Sequence, residues 1–314
     1  MNRDAVLQIL IVPIWGLFLG IPILSILVFT LISTGLSNLY KKLFKRDILK
    51  FKARMDEKVK AWSKVKKDVY RKLNHVLVFI SLIILWIISL SVVISITKSS
   101  SGMIPLEENL FLVYLTILSN PNSIFSILFS LGWFYYVLFF FFYTFCFLTL
   151  ASEFARKSHR FTFSFNFFTR FYLSEEEKRN YGTYLVFFIG HMFAAFISPP
   201  MVFFAILGVS SIADLMTSQI GIRFGKKPIF WNNKKTWEGS IAGFLSAFLI
   251  CIFFIGFFWA LIFACAFLVF DIITDKPLNF SDNLLTPIGL SLLYLLIRFF
   301  FNFGYNSIIL GWFS

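Results

Sequence analysis

The sequence predicts an all-α, polytopic integral membrane protein with about 7–8 transmembrane helices, some of them short or re-entrant. Three observations lead there. Hydrophobic residues make up 58% of the chain and charged residues 14%, with a mean hydropathy of +0.80, against roughly 45–50% and about 25% in a soluble domain. Several apolar runs exceed the roughly 20 residues that cross a bilayer core. They lack the alternation of strands, and in lipid a helix satisfies its own backbone polar groups.

Residues 5–36 are the first span, bent near Pro22. The run is too long for a cleaved signal and lacks a basic start and a small-residue cleavage site. Between Lys41 and Lys72 stand 14 Lys/Arg against 4 Asp/Glu, a net of +10 out of +13 for the chain. Flanking spans and the positive-inside rule account for this patch more simply than nucleic acid, which is not an expected partner. Ile48, Phe51, Met55, Val59, Trp62, Val69 and Leu73 recur within it at helical spacing. That spacing fits an amphipathic helix on anionic lipid headgroups, and a solvated topogenic run fits equally well. Residues 1–69 therefore form an N-terminal unit of one span plus a basic segment, and 70–314 a membrane-embedded domain.

Residues 76–96 are the second span, and 98–108 a short external loop. Residues 110–118 are too short to cross and are broken off by Asn120-Pro121-Asn122, so they are interfacial or re-entrant. Residues 125–151 return to the cytoplasm, where Arg156, Lys157, Arg160, Arg170, Lys178 and Arg179 cluster. Residues 183–197 and 201–220 form a hairpin around Ser198-Pro199-Pro200, ending in a third basic loop, 221–239. Three basic loops on one side make that side cytoplasmic. The run 241–270 fits either one tilted helix or two short helices turning near Gly256. A last span, 284–300, precedes an apolar tail. Cys146, Cys251 and Cys265 lie inside apolar runs without paired spacing, so they indicate neither zinc nor disulfides.

Polar residues at or within spans are costly and mark function. Arg71, Lys72 and His75 sit where the basic segment meets the second span, and Glu153 ends the third. Asp214 lies inside a span, followed by Gly221, Gly225, Lys226 and Lys227. Then come Asn233-Lys234-Lys235-Thr236-Trp237-Glu238-Gly239, and finally Asp271, Asp282-Asn283 and Pro287. A carboxylate ahead of two glycines fits a metal ligand beside a close-approach turn. Loop lysines before a new helix fit an anion site. Asp, Mg²⁺ and Lys/Arg together are the usual means of phosphoryl or nucleotidyl transfer. Taken singly, Asp214 fits an ion or proton site as well, the lysine pair fits a topogenic role, and Gly221 with Gly225 fits helix packing.

The stretch 213–240, and above all Lys234-Lys235-Thr236-Trp237-Glu238-Gly239-Ser240, resembles the nucleotide-binding loop of CTP-using membrane lipid enzymes. These comprise phosphatidate cytidylyltransferases and the CTP-dependent polyprenol, dolichol, phytol and diacylglycerol kinases. Arg71-Lys72 with His75, the stretch 175–190, and Asp282-Asn283 with Pro287 look like the kinase branch. The resemblance covers roughly residues 70–300, in the same order. The chain departs from the pattern at Ala213, where a glycine is usual, and at Asp271, where a glutamate is usual. The segment around Ser218 and Gln219 is also more polar than the usual alanine-rich one.

The resemblance implies transfer of the γ-phosphoryl group of CTP to a long isoprenoid alcohol such as dolichol or a polyprenol, in a kinase domain spanning 70–314. It implies Mg²⁺ on Asp214 and Asp282, with Glu238 or Asp271 in support, and Asp214, Asp282, Lys235 and Glu238 as catalytic residues. Arg71, Lys72, Lys234 and Lys235 neutralise phosphate charge, Gly221 and Gly225 admit the triphosphate, and Thr236 and Asn283 bind the nucleotide. It further implies that 241–270 turns back, so that Asp282 shares the cytoplasmic face with Lys235. The rival expectations are cytidylyl transfer to a lipid phosphate and, from another class, a transporter using Asp214 as its ion site.

Overall fold

The computed structural model describes residues 14–44, 57–58, 61–97, 133–158, 181–274 and 280–311. Several expectations lie outside these residues: the external loop 98–108, the short element 110–118, the acidic-basic segment after Glu175, and Ile48, Phe51, Met55 and Val59.

Helix α1 is Ile14–Phe44, with Pro22 inside it. Helix α2, Lys64–Thr97, begins well before the apolar span expected at 76–96. Ser63 sets that start: its hydroxyl accepts from the Lys66 N–H at 3.3 Å, as an N-cap does. The lysines that follow are good helix formers. Along α2, Lys72, His75, Phe79, Leu82, Trp86 and Leu90 are buried, while Leu77, Ile80, Ile84 and Ile88 are exposed. That three-to-four spacing gives one face to the protein and one to lipid.

Helix α3 is Trp133–Ser158 and α4 is Thr183–Ile197, the latter with the bounds the hydropathy predicts. The turn at Ser198-Pro199 leads into α5, Pro200–Gly208, whose nine residues are all buried. A π turn, Val209–Ala213, joins it to α6, Asp214–Phe224. The combined helix is the axis of the molecule. Its Phe203 and Phe204 meet Phe142, Phe254 and Trp86 in tilted and edge-on aromatic contacts, with Phe187 against Phe142, so part of the phenylalanine excess packs this centre.

The segment expected as a loop at 221–239 folds further than that. Gly221 still belongs to α6, and the chain then forms a short antiparallel ribbon, β1 Pro228–Ile229 and β2 Asn232–Thr236. Helix α7, Trp237–Ile273, follows, and then α8, Asp282–Phe301, and the single turn α9, Ile308–Gly311.

α7 is not straight. Gly256 breaks it with φ +79° and ψ 172°, a conformation open in practice to glycine alone. Ser240 and Asp271 are hydrogen-bonded across the break. In a straight helix they would stand about 46 Å apart, at 1.5 Å per residue. The expected hairpin is therefore present, turning at Gly256. Its limbs, 237–255 and 257–273, are each about 25–28 Å long, close to the roughly 30 Å of a bilayer core.

Among the described residues, five helices are long and apolar enough to cross a membrane, the folded-back α7 taken as one of them. The molecule is an all-α, multi-pass membrane protein with one small ribbon at the helix ends.

Candidate active site at the helix ends

The site begins with the basic start of α2. Asp68, Arg71 and Lys72 are three and four residues apart, so they share one helix face. Lys72 Nζ donates to Asp214 Oδ1 at 2.7 Å and to the Asp214 carbonyl at 2.9 Å. Each of those side chains is only 8% exposed. One turn away, Asp68 accepts from Ser218 Oγ at 2.5 Å, Gln219 Nε2 at 3.0 Å and Arg71 Nη2 at 3.1 Å. Two parallel polar bridges thus fix α2 against α6.

Asp214 directly follows the π turn, and its N–H bonds to the Val209 carbonyl five residues back. Such turns recur at functional sites because they free backbone groups from the regular ladder. Within the turn, Ser210 lies 2.6 Å from His191 Nε2. His191 Nδ1 donates to the Phe187 carbonyl at 2.8 Å, which leaves Nε2 to accept the Ser210 proton.

The ribbon supplies the second lysine. In β2 neighbouring side chains point to opposite faces: Lys234 is exposed, while Lys235 turns inward. Lys235 Nζ reaches Asp271 Oδ1 at 2.7 Å and Asp282 Oδ2 at 3.6 Å. Burial pulls this ammonium down, but Asp271, Asp282 and Asp214 together outweigh it and hold Lys235 above the usual lysine value. Asp271 also accepts from the Ser240 hydroxyl.

The ribbon is held in place by its own bonds. Asn232 Nδ2 donates to the Thr274 carbonyl at 2.6 Å, and Trp231 Nε1 to the Ile272 carbonyl at 3.3 Å. Thr236 Oγ1 caps α7 by accepting from the Gly239 N–H at 3.3 Å.

These pieces meet around one narrow cleft lined by Ser210, Asp214, Phe267, Asp271, Asp282, Asn283 and Thr286. Three carboxylates contribute hard oxygen donors, and ammonium groups from Lys72 and Lys235 reach all three. Among the described residues, no three His, Cys, Asp or Glu side chains stand close enough to hold an ion by themselves. Asp214, Asp271 and Asp282 are the oxygen donors that could take part in holding a divalent cation here, and in the structure each is paired with a lysine.

Of the residues singled out in the sequence, Lys72, Asp214, Lys235, Asp282 and Asn283 come together here, and Asp271 is central to them. His75, one helical turn from Lys72, borders them and stacks on Phe187 with ring centroids 3.9 Å apart, and several of the others make different contacts. Glu238 accepts from the Lys227 N–H at 3.2 Å and latches the ribbon to α7. A Cβ on Gly239 would lie 2.6 Å from the Thr217 carbonyl and 3.1 Å from Gly221 Cα, so Gly221 and Gly239 are where α6 and α7 pack backbone to backbone. Gly225 is closed in by Gly221 and Thr236. Arg71 is more than a third exposed and pairs with Asp68.

Sequence reasoning passed over Asp68, His191 and Ser210, and took Ser240 and Thr286 only as parts of longer motifs, with no role of their own. Ser210 and His191 carried a usable signal, being polar residues deep in apolar runs. Asp68 carried one too, lying one helical turn before Lys72 within a basic run.

Fold and site together define a multi-pass helical membrane protein with a lysine–carboxylate centre where its helices end. No family model matches the chain, and no curated protein or solved structure matches it.

Proposed function

We propose that this chain is a membrane phosphotransferase that moves the γ-phosphoryl group of CTP to the terminal hydroxyl of a long isoprenoid alcohol of the dolichol or polyprenol kind. The supporting observation is convergence: α2, α6, β2, α7 and α8 each bring a charged side chain to one cleft at the ends of the helices. Buried charges are costly to hold and are kept where they act.

In the reaction, the lipid hydroxyl oxygen bonds to the γ-phosphorus, the bond from that phosphorus to the bridging oxygen breaks, and CDP leaves. The hydroxyl proton passes to a cleft carboxylate or to water. Asp214 and Asp282 would hold Mg²⁺, which would supply charge neutralisation on the triphosphate. Lys72 and Lys235 then turn from the carboxylates toward phosphate oxygens. Asn283 and Thr286 orient the reacting groups by hydrogen bonding, and Phe267 gives the wall an apolar patch beside which a lipid hydroxyl can lie. The basic residues at these helix ends support a cytoplasmic orientation of this face.

The test is purified protein with polyprenol, Mg²⁺ and γ-labelled CTP. Labelled polyprenyl phosphate is expected, falling about 10²-fold or more in Asp214→Asn, as when a group that stabilises transition-state charge is removed. No labelled lipid from the wild-type protein, or equal labelling by Asp214→Asn, would overturn the proposal. An ion site for transport would give no nucleotide turnover.

A further inference from the structure

The ribbon exposes a surface that the phosphotransfer chemistry does not use. Phe230, at the turn between β1 and β2, is 93% exposed, and Phe224, Trp231 and Trp237 beside it are also exposed. Interleaved with them are the exposed cations Arg223, Lys226, Lys227 and Lys234. A phenyl ring held almost wholly in water is unfavourable.

The position of the ribbon names what covers it. It connects α6, which ends at Phe224, to α7, which begins at Trp237, and both belong to membrane-spanning segments. It does not project away from them. Trp231 and Asn232 donate to the carbonyls of Ile272 and Thr274 at the far end of the α7 hairpin, so the ribbon lies across the helix ends. A structure lying there is at the depth of the lipid headgroups, where aromatic rings and snorkelling lysines are both favoured.

We propose that the ribbon is an interfacial membrane anchor. Phe230 enters the boundary between headgroups and acyl chains, and Lys226, Lys227 and Lys234 pair with anionic lipid phosphates. On this assignment the two lysines of β2 divide their roles. Lys234 faces lipid, and Lys235, on the opposite face, serves the cleft. Lipid contact thereby also orders the strand that carries Lys235.

The test uses the full chain in phosphatidylcholine nanodiscs, with or without phosphatidylglycerol. Phe230→Cys is combined with Cys146→Ser and Cys265→Ser, and an environment-sensitive fluorophore is attached at position 230. A blue-shifted emission is expected, quenched by nitroxide lipids labelled near the headgroup and protected from aqueous iodide. The shift should increase with phosphatidylglycerol and lose that dependence in Lys226→Gln/Lys227→Gln/Lys234→Gln. Emission typical of water with full iodide quenching would overturn the proposal. So would protection that arises only on adding Mg²⁺ and CTP, which would give the ribbon tip to the nucleotide. Neither readout depends on catalytic turnover, so this assignment and the phosphotransfer reading stand or fall separately.

Discussion

Replacing Gly256 by alanine separates a helix that turns back from one that runs straight, because the two geometries give effects of opposite sign. At φ +79° and ψ 172° an L side chain is strained by about 1–3 kcal/mol. The added Cβ would also lie 2.5 Å from the Asn306 carbonyl oxygen, which is backbone and cannot swing aside. Forcing it apart costs about 1–3 kcal/mol more, as overpacking generally does. The loss expected is therefore about 2–6 kcal/mol. In an uninterrupted helix the same substitution would gain about 0.5–1 kcal/mol. Gly20→Ala is the internal control, since its Cβ would meet nothing within 4 Å and should bring that small gain. Equilibrium unfolding in mixed micelles of dodecyl sulfate and a non-ionic detergent reads both. A Gly256→Ala protein as stable as the wild type, or more so, would refute the hairpin and with it the placement of Asp282 beside Lys235.

Three more outcomes follow from the site. Lys72→Met leaves the Asp214 carboxylate buried without its ammonium, so the same unfolding titration should show a loss of about 3–5 kcal/mol; adding Asp214→Leu should recover much of it, and no recovery would mean that the pair is not the source. For Lys235 the folded-state pKa lies above the unfolded value. Its stabilisation is therefore complete below the unfolded value near about 10.4 and is lost only as pH rises through the folded one. Unfolding midpoints taken from pH 7 to 10 should show no transition that Lys235→Arg abolishes, and one centred near pH 9 would contradict the assignment. Removing divalent cations should stop phosphoryl transfer while leaving the unfolding midpoint within about 0.5 kcal/mol, because Lys72 and Lys235 already satisfy the carboxylates; a collapse of the fold would make the metal structural.

Much of the fold could be read from hydropathy because lipid imposes so strict a condition on the backbone. Helix α4 has the bounds expected of it, and α8 differs from 284–300 by a few terminal residues. Hydropathy could not decide between one helix and two at 241–270, since the turn rests on the torsion angles of Gly256 and not on any loss of apolar character. Helix α2 outran its apolar portion because Ser63, a polar cap in a charged stretch, fixes its start. Of the site, the acids and lysines at helix ends were legible by their cost in lipid. Their grouping was less so. Glu238 sits beside the lysine pair in sequence, yet the ribbon register turns it to the Lys227 N–H, while Asp271, more than thirty residues on, bonds to Lys235. Gly221 and Gly225 permit close approach, as expected, but the partners that approach them are α7 and Thr236.

The central claim is that this cleft passes a phosphoryl group to a hydroxyl held in the bilayer. Purified protein supplied side by side with polyprenol, diacylglycerol and a lipid phosphate, with CTP labelled both in its γ-phosphate and in cytidine, tests it most directly. The account predicts γ-label alone in the lipid product, greatest with polyprenol, and its loss in Asp214→Asn. Cytidine label entering the lipid phosphate would instead make the chain a cytidylyltransferase, and label in none of the three lipids would contradict the account outright.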